Sequence, residues 1–288
     1  MPGIAVISTI AFRTNAPWEA AFTGGLGVHA GWYVSGALQE SVGFSQGSLT
    51  TAVSNLNANG SVTHIVTVGG VAAARAAWSY GNQHGQAKPF FSLVGGTTSN
   101  FPGTAPPASF YGGVTLESFG HNADRLDHLT GKSAAHAHNF PLAQIALLIN
   151  PDSSVGADES LRWPSDGGHI YQARDKTTIQ SELGNFAGSN HTAIIISADP
   201  FFTDNLEYVI QQANGTSKHV CYPFQEYANA SAGAGHPHPT HNKHTLHGPK
   251  LLDAYQQLGQ VVASVISSGA APLQPKLEPA PPIVANDP

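Results

Sequence analysis

Gly43-Phe44-Ser45-Gln46-Gly47 fits G-x-S-x-G, the turn that exposes a nucleophilic serine in α/β-hydrolases. Asp199 and His236 follow in the chain order Ser, Asp, His. Such a turn needs a buried apolar strand before it, and Leu38-Gln39-Glu40-Ser41-Val42 is too polar to supply one. The pattern reads better as a surface turn entering the helix that contains Leu49. A serine hydrolase using Ser45 is the lesser alternative, and no catalytic residue is expected.

A second set of reactive side chains is imidazole. His236, His238, His241, His244 and His247 are spaced by two and three residues, close enough to converge on zinc, copper or nickel. No cysteine joins them, and the only nearby carboxylate is Asp253. Pro237 and Pro239 imply an extended loop rather than a helix face. The plainer reading is a polar loop that takes metal weakly, so no dedicated metal site is expected. His236, His238 and His241 are the weak candidates. His136 and His138 form a second pair with the same reading.

A third set consists of small polar residues that follow apolar runs. Ser8 and Thr9 follow Ile4-Ala5-Val6-Ile7, with Phe12 and Arg13 just beyond. Gly69-Gly70 follows His64-Ile65-Val66-Thr67-Val68 and precedes an Ala-rich stretch that starts at Val71. Gly96 and Thr97 follow Phe90 to Val94; Asn150 follows Gln144 to Ile149. Asp199, with Phe201 and Phe202, follows Ala193 to Ile196, and Tyr222 ends Lys218 to Tyr222. A helix that starts after Gly70 presents N–H groups and a partial positive charge to a carboxylate or phosphate. Asp199 can hold an ammonium, and the phenylalanines can cover an aromatic or apolar body. Plainer readings exist for each. Gly69-Gly70 suits a tight turn, Asp199-Pro200 a helix cap, and Tyr222 and Tyr227 core packing. No G-x-G-x-x-G accompanies Gly69-Gly70, so a dinucleotide site is not expected.

The elements that would position these residues alternate. Apolar runs read as strands at Ile4–Ile7, His64–Val68, Pro89–Val94, Gln144–Ile149, Ala193–Ile196 and Lys218–Tyr222. Helical spacing appears from Trp18 to Phe22, at Leu49, Val53 and Leu56, from Val71 to Trp78, at Ile179, Leu183 and Phe186, from Leu206 to Ala213, and from Leu251 to Ile266. Gly24 to Gly36 follows no clear pattern, and Thr97 to Gly113 reads as a loop. The alternation occurs twice, so the fold class is α/β: two doubly wound, Rossmann-like parallel-sheet lobes joined by a multi-strand hinge. Parallel sheets bind ligands beyond the carboxyl ends of their strands, where the third set sits. The expected divisions are 1–113 for lobe 1, with part of 270–288 returning to it, and 114–269 for lobe 2. Hinge crossings are expected near 113–118, 222–227 and 270–279.

Composition fits this picture. The 288 residues carry 41% hydrophobic content, enough for two cores, yet only 10% are charged. The net charge of -6 and the absence of a basic run disfavour nucleic acid as a partner. No run of about 18 apolar residues predicts a membrane span. A single cysteine, Cys221, excludes an intrachain disulfide.

Taken in order, several segments resemble the type I periplasmic binding fold, in particular the ABC-transporter substrate-binding proteins that include tryptophan and tyrosine binders. The segments are Val62 to Ala74 with its Gly69-Gly70, Lys88-Pro89-Phe90-Phe91, Gly112-Gly113-Val114-Thr115, Gln144 to Pro151, Cys221 to Tyr227, and Tyr255 to Gly259 with Ile266 to Gly269. The stretch Gly24 to Gly36 and the His-rich Gly233 to Gly248 depart from that pattern. The resemblance implies a solute-binding protein that closes two lobes on a small carboxylated or zwitterionic ligand, such as an amino acid with an apolar side chain. It implies no enzyme activity, no cofactor, an ABC permease as partner, and a periplasmic location if a signal peptide has been removed. Without such a peptide, a cytoplasmic ligand sensor is expected. The ligand residues implied are Ser8, Thr9, Phe12, Gly69, Gly70, Val71, Gly96, Thr97, Asn150, Asp199, Phe201 and Tyr222.

Overall fold

The structure is a computed structural model that describes residues 2–9, 16–33, 39–40, 46–95, 101, 105–116, 118–132, 138–229, 243–269, 277–279 and 284–286. Strands and helices alternate along it. β1 (Ile4–Ser8) leads to α1 (Ala16–Leu26), which runs into a 3-10 turn at Gly27–Trp32. The short β2 (Gln39–Glu40) and α2 (Gln46–Ala58) come next, then β3 (His64–Val68), α3 (Val71–Gln83), β4 (Phe90–Val94) and β5 (Phe110–Thr115). From α4 (Ser118–Thr130) the pattern restarts with β6 (Ile145–Ile149), α5 (Ser154–Leu161), β7 (Ile170–Gln172) and α6 (Lys176–Gly188). β8 (Ala193–Ile196), α7 (Pro200–Asp204), α8 (Leu206–Asn214), β9 (His219–Tyr222) and β10 (His244–Gly248) complete the second series. α9 (Leu251–Ser268), β11 (Leu277–Pro279) and β12 (Val284–Asn286) close the chain.

The strands make two six-stranded sheets among the described residues, ordered β11-β5-β4-β3-β1-β2 and β12-β10-β9-β8-β6-β7. The first is parallel throughout. The second is parallel except for its edge strand β12, which runs antiparallel to β10. All five residues of β1 are buried, as are those of β4 and β6, which is why these strands read as unbroken apolar runs: both faces are covered. The chain falls into two compact units, Met1–Glu117 with Leu251–Pro281, and Ser118–Lys250 with Pro282–Pro288.

These units correct three expectations. α9 belongs to the first unit, not to lobe 2. It lies across α1 so closely that a Cβ on Gly25 would come within 2.0 Å of the Gln256 carbonyl oxygen, and one on Gly259 within 2.2 Å of that of Phe22. Trp18 and Tyr255 pack at the same contact, ring centroids 5.4 Å apart. The crossing expected near 222–227 also falls elsewhere. β9 is followed by β10 in the same sheet, and the chain passes to the first unit between Lys250 and Leu251. Finally, His244 and His247 do not lie on a polar loop. They are buried in β10, where Leu246 and the pairing with β9 stabilise a strand that its imidazoles disguise.

The first unit's core gathers Leu49, Val53 and Leu56 from α2 with Val71, Ala74 and Trp78 from α3 against Ile7, Ile65 and Phe90. The second unit's core places Leu129 of α4 on Ile145, Leu147, Ile195 and Cys221. On α6 the buried residues are likewise the apolar Ile179, Leu183 and Phe186.

Candidate functional site

In the first unit the tips of β1 and β3 are adjacent. Ser8 and Thr9 are buried, and the Thr9 N–H donates to the Val68 carbonyl at 3.3 Å. The Thr9 hydroxyl donates to the Gly69 carbonyl, tying one strand tip to the next. Gly69 and Gly70 have φ of 82° and 108°, a turn that side chains with a Cβ rarely enter. That turn leads from β3 into α3, whose first residue, Val71, is buried. Gly70 has no side chain to cap the helix, and no acidic residue lies in its first turn. The three helices of the second unit that start with Ser153, Asp175 and Asp199 instead receive side-chain caps. Among the described residues, then, no capping side chain meets the N–H groups and partial positive charge of the α3 terminus, which follows the carboxyl end of β3.

In the second unit Asn150 ends β6 and Asp199 follows β8, its neighbour in the sheet. Both are buried. Asp199 caps α7, one carboxylate oxygen accepting the Phe201 N–H at 2.8 Å and the other accepting the Ser153 hydroxyl. Ser153 in turn caps α5 by accepting the Gly156 N–H at 3.1 Å. Burial pushes the Asp199 carboxyl up to about 6, against the hydrogen bonds from Ser153, Phe201 and Asn150 that hold it down. The cap reading of Asp199 is thus realised, with both oxygens accepting hydrogen bonds, from Phe201 and Ser153. Phe201 is half-buried beside Phe202.

Tyr222 is wholly buried at the end of β9. Its hydroxyl shares a hydrogen bond with His244 Nδ1 at 2.9 Å, and its ring stacks on Tyr227 at 4.7 Å. Phe12, Gly96, Thr97, Ser45, His136, His236, His238 and His241 lie outside the described residues. Of the remaining imidazoles, His138 stands 4.1 Å from His219, ring to ring, and His128 stands 5.5 Å from both His138 and His247. Thr245 sits among them, within 2.9 Å of His219 Nε2. Among the described residues no group of His, Cys, Asp and Glu is arranged to hold a metal ion, and no helix is long and apolar enough to cross a membrane.

Three residues at this edge escaped the sequence reading. Arg125 on α4 is fully buried and donates to the His247 carbonyl at 2.9 Å, to Asn122 at 2.6 Å and to the Pro223 carbonyl at 3.3 Å. It thereby joins the tips of β9 and β10. Glu159 on α5 is buried and accepts the Ala198 N–H at 3.2 Å. Ser153 carried one legible signal, an Asp-Ser-Ser run ahead of a helix; Arg125 and Glu159 carried none.

No family model matches the chain, and no curated protein matches it. Solved structures do. An ABC domain in complex with L-Trp from Streptococcus pneumonia is 12% identical, with TM-score 0.65, and the match covers 98% of this chain and 91% of that one. An ABC sugar transporter subunit from Rhodobacter sphaeroides is 13% identical, with TM-score 0.62 and coverage of 99% and 98%. A LacI family transcriptional regulator from Enterococcus faecium with bound ribose is 12% identical, with TM-score 0.61 and coverage of 99% and 96%. The chain has the type I periplasmic binding fold, shared by substrate-binding proteins and by regulators of transcription.

Proposed function

We propose that this protein is a solute-binding protein that takes a small carboxylated or zwitterionic molecule at the carboxyl ends of its strands, without covalent chemistry. The observation that carries the proposal is the α3 terminus: a thirteen-residue helix with neither a capping side chain nor an acid in its first turn, seated after two left-handed glycines at a sheet edge. Gly69, Gly70 and Val71 would receive the carboxylate, with Ser8 and Thr9 beside them. From the second unit Asn150, Asp199 and Phe201 would contribute at its own edge. Asp199 would act through the α7 cap, since its oxygens already hold internal hydrogen bonds.

An ABC permease and a periplasmic location follow if the protein works as the transport receptors of this fold do. A cytoplasmic sensor is the second reading, supported by the regulators' equal structural similarity. The test is a thermal-shift screen with the amino acids and short carboxylic acids, since a ligand that binds only the folded state raises its melting temperature. Ala72→Glu places a carboxylate in the first turn of α3 and should abolish the shift. A screen with no hit, or a hit untouched by Ala72→Glu, removes the reading.

A further inference from the structure

We propose that the second unit carries a separate small-molecule site on its helical flank, between α4 and α5, that takes a zwitterion with a short apolar body. A cavity of about 320 Å³ opens there, lined by Asn122, Ala123 and Leu126 of α4 and by Glu159, Arg162, Trp163 and Pro164. That volume falls at the lower end of small-molecule pockets, which span about 300–1,000 Å³. The site belongs to the second unit, whereas the α3 terminus belongs to the first, and it does not rest on the function proposed above.

The lining separates charge as a zwitterion does. Glu159 is 1% exposed; Oε1 accepts from Ala198, the Ser197 hydroxyl approaches the carboxyl, and Oε2 has no partner within hydrogen-bond distance among the described residues. A buried carboxylate oxygen without a donor is costly, and a guest ammonium would supply the missing hydrogen bond. Arg162, the residue that caps the end of α5 three positions after Glu159, also lines the cavity and is exposed, so its guanidinium can meet a carboxylate. The lining also includes Leu126, Ala123, Pro164 and the Trp163 indole, whose N–H is held by the Gly168 carbonyl at 2.9 Å. The groups facing Glu159 are Arg125 from α4 and Ser197, Ala198 and Asp199 beyond β8. Burial outweighs the favourable ones and pushes its carboxyl up to about 7. Because the guest ammonium needs the ionised carboxylate, affinity should fall about tenfold from pH 8 to pH 6.

The experiment is an NMR titration of the full chain with L-leucine, reading the Trp163 indole N–H, identified by its loss in Trp163→Phe. Isoamylamine and 4-methylpentanoate serve as the two half-molecules. The expected result is a saturable shift of the Trp163 signal with L-leucine at pH 8. It should weaken about tenfold at pH 6, weaken at least fivefold with either half-molecule or in Arg162→Ala, and vanish in Ala123→Trp, which fills the cavity from an exposed position. Ala72→Glu should leave it intact, which separates this site from the α3 terminus. No shift up to 20 mM ligand, a shift that survives Ala123→Trp, or half-molecules that bind as tightly as L-leucine would overturn the proposal. Arg162 and Ala123 are exposed, so these variants keep the fold even if Glu159→Gln does not.

Discussion

Replacing His219 with leucine removes an imidazole that the second unit holds neutral. His219 is 7% exposed, and its ring packs 4.1 Å from that of His138. Burial, then repulsion from His138, His244 and His128, pushes its pKa from 6.5 down to about 3. The sign follows from linkage. A base with a lowered folded pKa binds fewer protons in the folded state, so its contribution is fully present above the unfolded pKa of 6.5. That contribution is lost as pH falls from there toward 3. At pH 5 the unfolded chain is almost fully protonated at this site and the folded chain almost fully neutral. The ratio of about thirty corresponds to about 2 kcal/mol lost relative to pH 8. The leucine variant lacks this loss, although it forfeits the hydrogen bond to Thr245, a cost of about 1 kcal/mol at either pH. Urea unfolding of both proteins at pH 8 and pH 5, followed by far-UV circular dichroism and by tryptophan emission, reads the difference. The leucine variant should gain about 2 kcal/mol on the natural protein between pH 8 and pH 5. Buried Asp199 and Glu159 titrate in both proteins and cancel. A stability gap identical at the two pH values would show that His219 is not held neutral and would refute the reasoning.

Other outcomes follow from packing. Gly259→Ala forces a Cβ to within 2.2 Å of the Phe22 carbonyl and must spread α1 from α9, so the first unit should lose about 3 kcal/mol, seen as a lower urea midpoint. Arg125→Met removes a buried cation that holds the His247 and Pro223 carbonyls and leaves Glu159 without its nearby charge. A cost of about 3–5 kcal/mol is expected, with β9 and β10 amides exchanging faster in hydrogen-exchange measurements.

Legibility in the sequence tracked what each residue meets. The runs of β1, β3, β6 and β8 were readable because strands covered on both faces need apolar residues throughout. β5 was hidden by Gly112 and Gly113, which read as loop yet let the strand press against Ser92 of β4. β10 was hidden because His244, Thr245 and His247 look solvated, and only the tertiary structure supplies Tyr222, His219 and Arg125 as their partners. α9 was legible as a helix, but its unit was not, since the contact of Gly25 with Gln256 joins residues far apart in the chain. At the candidate site, Gly69-Gly70 announced itself through the change from strand to helix pattern. Arg125 and Glu159 did not, because a charged residue on a helix looks exposed until its surroundings are known.

The central claim is that the α3 terminus receives the carboxylate of a small ligand. The most direct measurement is calorimetric titration of the natural protein and of Ala72→Glu with the strongest compound from the amino acid and carboxylic acid screen, alongside that compound's carboxamide. At least tenfold weaker binding is expected for the carboxamide and for the variant, a loss of about 1.4 kcal/mol in each case. Equal affinity across all three titrations, or no heat of binding with any of the acids, would contradict the account.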